Sequence, residues 1–266
     1  ADQLRWDCLS CYGDSLVSTP NIDQLAKEGV TFDRAYCQSP ICGPSRMSFY
    51  TGRYSQSHGA TWNGIPLKAG ELTLGDFMRE QGLATWLVGK THFYPARKHL
   101  GFEQLVIPTD YEEWLAQQPG IETEKLAHGV PPNSWLGRPN HLPEHQMEET
   151  YFVGRAFDFL HKRDPTRPFF LTLSFNGPHP PWCPPQVYYD QFIDRELPKP
   201  EIGDWAERHA RDARYPLDVN AWRGTLPEHI VHRARAAYFA YLAFLDAQIG
   251  RLVERLHRSG LLDNTL

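Results

Sequence analysis

Pro40-Ile41-Cys42-Gly43-Pro44-Ser45-Arg46-Met47-Ser48-Phe49-Tyr50-Thr51-Gly52-Arg53 is the stretch on which the reading of this chain turns. Pro44 stands where a helix would begin, and proline is tolerated in a first turn because its missing N–H would have no partner there. Cys42 then lies at the helix N-terminus, where free N–H groups and the dipole favour negative charge. Arg46, four residues on, shares a helix face with Cys42. Its guanidinium stays protonated and can hold an anion with a fork of donors. A nucleophile, a cation and a helix N-terminus on one face make a site for an anionic substrate. A cysteine met alone is usually a small buried group. The company of Pro44, Arg46 and Thr51-Gly52-Arg53 points to chemistry instead.

The run resembles the signature of the sulfatase family, Cys-x-Pro-Ser-Arg followed shortly by Thr-Gly-Arg. The resemblance implies that Cys42 is oxidised by a formylglycine-generating enzyme to an aldehyde, which hydrates to a geminal diol. It also implies an alkaline-phosphatase-like α/β fold and a divalent metal, with Ca²⁺ the first expectation and Mg²⁺ or Mn²⁺ the alternatives.

Composition is compatible with this and excludes other classes. The chain has 266 residues, with 41% hydrophobic and 22% charged, the profile of an ordinary globular domain. A net charge of -5 leaves no basic footprint for nucleic acid. No apolar stretch approaches the ~20 residues of a membrane span. Five cysteines, Cys8, Cys11, Cys37, Cys42 and Cys183, are too few for a disulfide scaffold. Cys8 and Cys11 form a Cys-x-x-Cys pair, but a closed zinc site needs four ligands and no second pair exists. They read as small apolar groups lining a loop beside the site. The N-terminus reads as truncated, and the compartment stays open between cytoplasm and periplasm.

Helix and strand patterns alternate along the chain. A capped helix is expected from Thr19 to near Gly29, then a strand over 30–36 and a short helix over 44–52. A helix over 74–81 stops at Gly82, and 83–88 is an apolar run that fits a buried strand. Residues 148–162 and 229–258 read as amphipathic helices, and 168–175 as a second buried strand. Residues 103–145 and 177–228, rich in proline, read as irregular excursions on the substrate side. The pattern predicts one α/β domain over 1–266, with a mostly parallel sheet covered by helices on both faces and incomplete at both ends.

In such sheets sites gather beyond the C-terminal ends of strands. The loop after 83–88 reads Gly89-Lys90-Thr91-His92. If it is extended, Lys90 and His92 point to the same side. The loop after 168–175 reads Asn176-Gly177-Pro178-His179-Pro180-Pro181, with prolines restricting the backbone around His179. Both resemble sulfatase segments, in which the Lys binds sulfate, the first His contacts the diol, and the second His contacts sulfate and protonates the leaving oxygen. The family's acidic metal pair corresponds to Asp2 and Gln3, with Gln offering a carbonyl oxygen to a hard cation. Residue 42 is the third ligand. Asp-Gln also occurs in relatives resembling choline sulfatases and phosphonate monoester hydrolases, and Asn63 stands where those relatives approach the anion. Asn63 is equally at home as the turn residue of an Asn-Gly pair.

The implied reaction is hydrolysis of a small-molecule sulfate ester in two steps through residue 42. Arg46 polarises the nucleophile, Lys90 holds sulfate, His179 acts as acid and His92 as base. The alternatives are a phosphodiester or phosphonate monoester hydrolase with the same nucleophile, or a non-catalytic anion binder. Ca²⁺ takes ~6–8 oxygen ligands, more than Asp2, Gln3 and residue 42 supply. Calorimetry on residues 1–266 is therefore expected to show no micromolar Ca²⁺ binding and no sulfate release. Stoichiometric micromolar binding would contradict this ligand count.

Overall fold

The computed structural model describes residues 1–14, 16–121, 130, 133–203 and 226–266. The chain forms α1 (Pro20–Glu28), α2 (Cys42–Thr51), α3 (Ser55–His58) and α4 (Leu74–Glu80) before the first strand, β1 (Ala84–Gly89). There follow β2 (Gln104–Val106), α5 (Pro108–Leu115), α6 (Glu148–Lys162), β3 (Phe169–Ser174), α7 (Gln186–Tyr189) and α8 (Glu228–Arg258). The three strands lie in the order β2-β1-β3 and every pairing is parallel. β1 runs beside β3 from Ala84↔Phe169 to Gly89↔Ser174.

Helices cover both faces, as the buried strands require. Leu87 and Phe170 pack with Met47, Tyr50 and Phe102 on one face. Ala84, Trp86, Phe169 and Leu171 pack with Phe159, Leu160 and Leu256 on the other. The period-2 alternation of β1 thus feeds two cores at once.

Four expectations change. Residues 30–36 form no strand, and Val30, Phe32 and Tyr36 are 79%, 69% and 79% exposed. Their alternation is real, but among the described residues no neighbouring strand pairs with them, and unpaired backbone stays in water. Thr19 does not cap α1 through its side chain. Asp246, buried on α8, does so instead, accepting from the Asn21 and Ile22 N–H groups at 3.3 and 2.9 Å and from Asn21 Nδ2 at 2.7 Å. A cap delivered from 225 positions away has no local signal. The range 103–145 contains β2 and α5, so part of it belongs to the sheet layer. Cys8 packs against Val17, Ala236 and Ala240 on α8 rather than beside Cys42, and Cys8 and Cys11 are both free thiols. Residues 122–129, 131–132 and 204–225, inside the two expected excursions, lie outside the described residues.

Two glycines separate backbone strain from steric contact. At Gly89 (φ +107°) an added Cβ would meet the Ser174 carbonyl oxygen at 1.9 Å, whereas at Gly82 (φ +84°) it would meet nothing within 4 Å. Gly82→Ala is expected to cost about 1–2 kcal/mol, the left-handed penalty alone. Gly89→Ala should cost at least about 3 kcal/mol, since overpacking adds to strain. Urea unfolding of both variants checks this, and equal losses would contradict the tight β1–β3 junction.

Candidate active site

The C-terminal ends of β1 and β3 and the N-terminus of α2 meet at Arg46. Its Nη1 donates to the Lys90 carbonyl oxygen at 2.7 Å and to Ser174 Oγ at 2.8 Å. Its Nη2 lies 3.7 Å from Asp2 Oδ2. Lys90 Nζ forms a second, closer ion pair with the same oxygen. Lys90 and Asp2 are each only 12% exposed. Burial alone would raise the Asp2 carboxyl, but Lys90, with Arg46 and His179, holds it below the usual carboxylate range. Two cations face one carboxylate here, so the site carries positive charge suited to an anion.

Cys42 is the first residue of α2, so Pro44 is the third. It still falls in the first turn, where its missing N–H costs nothing. Asn63 clamps this end of the helix. Its Oδ1 accepts from the Gly43 N–H at 2.9 Å, and its Nδ2 lies 3.6 Å from Cys42 Sγ. A Cβ on Gly43 would meet that Oδ1 at 2.5 Å, so the close approach needs glycine. The Cys42 thiol is pulled down to about 7, first by hydrogen bonding to His92, against the opposing effect of burial, and further by Lys90 and Asn63.

His92 reaches Cys42 by an unexpected route. Its φ of +53° is left-handed, so the segment after β1 is not extended and the alternation argument does not apply. Lys90 turns to Asp2 and His92 to Cys42 all the same. His92 Nδ1 is buried without a hydrogen-bond partner. The His179 Nδ1–H donates to the Pro180 carbonyl oxygen at 2.8 Å, which leaves Nε2 as its free nitrogen. Burial, and then Lys90, push the His179 pKa below the ordinary histidine value.

The expected residues Cys42, Arg46, Asn63, Lys90, His92, His179 and Asp2 are thus linked by direct contact or by the field they exert on one another. Gln3 is exposed, with φ +59°, and its backbone carbonyl accepts the Tyr238 hydroxyl at 3.1 Å. Sequence reasoning missed Ser174, which anchors Arg46. Its only signal was its place at the end of a buried strand. It also missed half-buried Glu148 and fully buried Glu149 beside His179.

The group at position 42 is a thiol here. A hydroxyl-bearing formylglycine fits the same place, because Asn63 supplies a donor and an acceptor and His92 carries an unsatisfied nitrogen. A metal fits less well. Among the described residues no group of three or more His, Cys, Asp or Glu could hold an ion. Asp2 is the one carboxylate at the centre, and both cations already lean on it.

The thiol prediction follows directly. Alkylation of Cys42 in unconverted protein should rise with pH to half its maximum near 7, against ~8.5 for an ordinary thiol. His92→Ala should move the midpoint upward, because the largest stabiliser of the thiolate is lost. A wild-type midpoint above 8 would contradict the contact.

A family model described as Sulfatase matches residues 1–266. The arylsulfatase of Clostridium perfringens is 34% identical over 293 residues, covering 100% of this chain and 60% of that protein. The choline-sulfatase of Rhizobium meliloti is 28% identical over 278 residues, covering 100% of this chain and 54% of the relative. The crystal structure of the phosphonate monoester hydrolase of Agrobacterium radiobacter superposes with a TM-score of 0.82 at 26% identity, covering 100% of this chain and 60% of that one. The chain therefore spans little more than half the length of these relatives, and it belongs to the sulfatase family.

Proposed function

We propose that this chain is the anion-handling portion of a sulfate-ester hydrolase whose nucleophile is made from Cys42. The observation that carries the reading is convergence. A residue at a helix N-terminus, two cations and two histidines from separate loops share one site at the sheet's C-terminal edge. Membership of the sulfatase family supports the reaction class. Formylglycine, once formed, supplies a hydrated aldehyde whose hydroxyl is the nucleophile.

The chain's own residues do the rest. Asn63 and His92 orient the group at position 42, and His92 is placed to take a proton from it. Lys90 and Arg46 bind the tetrahedral anion and stabilise the charge that grows as the ester bond breaks. His179 delivers a proton from Nε2 to the leaving alcohol. With its pKa depressed, His179 is mostly neutral near pH 7, and a bound anion close by favours its protonated form. Asp2 holds Lys90 in place. Of the three expected metal ligands, Asp2 and residue 42 stand at the site and Gln3 is turned away to Tyr238, and no step is assigned to a cation.

A second reading has specific support. Asp2-Gln3 and the Asn63 contact to Cys42 match what is expected of phosphonate or phosphodiester hydrolases, and a structural neighbour carries that name. The same groups would bind either tetrahedral anion.

The test is co-expression of the full-length protein, rather than residues 1–266 alone, with a formylglycine-generating enzyme, with mass spectrometry of the peptide holding residue 42. Aldehyde at that position and release of sulfate from 4-nitrophenyl sulfate are expected, and both should vanish in Cys42→Ala. Fully active protein with an intact thiol would refute the reading. Faster cleavage of a phenylphosphonate monoester than of the sulfate would favour the second. Lys90→Ala, His92→Ala and His179→Ala should each lower kcat/KM by about 10²-fold or more. Near-wild-type kinetics in all three would show the site misplaced.

A further inference from the structure

A cavity of about 210 Å³ adjoins the site and takes no part in the chemistry above. Tyr111 of α5, Glu148 and Glu149 of α6, Asn176 and His179 of the loop after β3, and Tyr241 of α8 line it. His179 is the shared wall, and it feels the charges of Asp2 and Lys90 on its other side.

Glu149 is the unusual member. It is 0% exposed. One carboxylate oxygen, Oε1, accepts the Tyr241 hydroxyl at 2.7 Å. The other, Oε2, is buried with no hydrogen-bond partner. Among the described residues no Lys, Arg or His forms an ion pair with Glu148 or Glu149. Acidic residues in the first turn of a helix are ordinarily favoured by its dipole. That explains a solvated carboxylate there, not a buried one with an idle oxygen, which is unfavourable unless something completes it. Two carboxyls, two phenol rings and an asparagine around a small cavity describe a receptor for a cation on a short carbon frame. Once ionised, the idle oxygen only accepts, so a cation that carries N–H would complete it.

We propose that this cavity receives the alcohol part of the substrate and selects an alcohol bearing a protonated amine, whose N–H groups complete Glu149 and Glu148. The proposal rests on the hydrolase reading, because it takes His179 as the group facing the leaving oxygen. Proton linkage supports it. Burial, and then the neighbouring Glu149, push Glu148 up to about 8, with Glu112 adding to the shift and Lys90 opposing it. Burial also raises Glu149, against the hydrogen bond from Tyr241 and the nearby Gly177 N–H. Tyr111, Cys183 and Tyr241 are all raised by burial, so they stay neutral. Glu148 therefore holds a proton near neutral pH, and an arriving ammonium should displace it.

The experiment compares ω-aminoalkyl sulfates with n-alkyl sulfates of equal length on the matured full-length protein, with 4-nitrophenyl sulfate as the activity control. The amino esters should show kcat/KM about ten- to a hundredfold higher, the scale of hydrogen bonds to a charged group. Glu149→Gln and Glu148→Gln should each shrink that ratio. Equal kcat/KM for the two series in protein that cleaves the control overturns the proposal and leaves the hydrolase reading standing. If no ester is cleaved, the hydrolase reading fails. The cavity is then judged by calorimetry with the free ω-amino alcohols in buffers of different ionisation enthalpy. Binding with proton release, weakened as pH falls below 7, supports the cavity's selectivity, and no binding overturns it. This readout needs no variant, so a substitution that fails to fold cannot obscure the answer.

Discussion

The Arg46 guanidinium is the constraint on which the rest of the site depends. It joins α2, β1 and β3 through the Lys90 carbonyl and the Ser174 hydroxyl, and it reaches toward Asp2 near the chain's start. Charge-assisted hydrogen bonds of this kind are worth roughly 1.5–3 kcal/mol each. Three separate segments are held in register by one side chain. Beside this framework, Lys90 Nζ is held at the site by its ion pair with Asp2.

The same junction explains the glycines and the turn around it. Gly89 lets β1 pass against the Ser174 carbonyl, and Gly43 lets Asn63 close on the N-terminus of α2. His92 adopts a left-handed conformation that few non-glycine residues take. Strain of this sort costs about 1–3 kcal/mol and persists where surrounding structure imposes it. Here the Lys90 N–H to Ser174 carbonyl bond of 2.8 Å and buried Phe93 fix the segment on either side.

The parts of this protein legible in its sequence were those with local signals. The helices at 148–162 and 229–258 and the strands at 83–88 and 168–175 carry periodicity or apolar runs, and they stand within a residue of their expected places. Cys42, Arg46, Lys90, His92 and His179 drew notice because each sits in a short motif near the end of an expected element, and the structure brings them near one another. The strand expected over 30–36 failed because alternation does not supply a neighbour. The Asp246 cap, the Ser174 anchor and the Glu149–Tyr241 pair depend on contacts across 92 to 225 positions. Such contacts arise only after the layers pack, and no window of sequence contains them.

The central claim is that residue 42, Lys90, His92 and His179 surround one tetrahedral anion. A crystal structure of the protein with sulfate or vanadate bound tests it most directly. The account predicts tetrahedral density at the N-terminus of α2, within hydrogen-bond distance of Lys90 Nζ, His179 Nε2 and the side chain at position 42. An anion bound elsewhere, with these side chains turned away from one another, would contradict it.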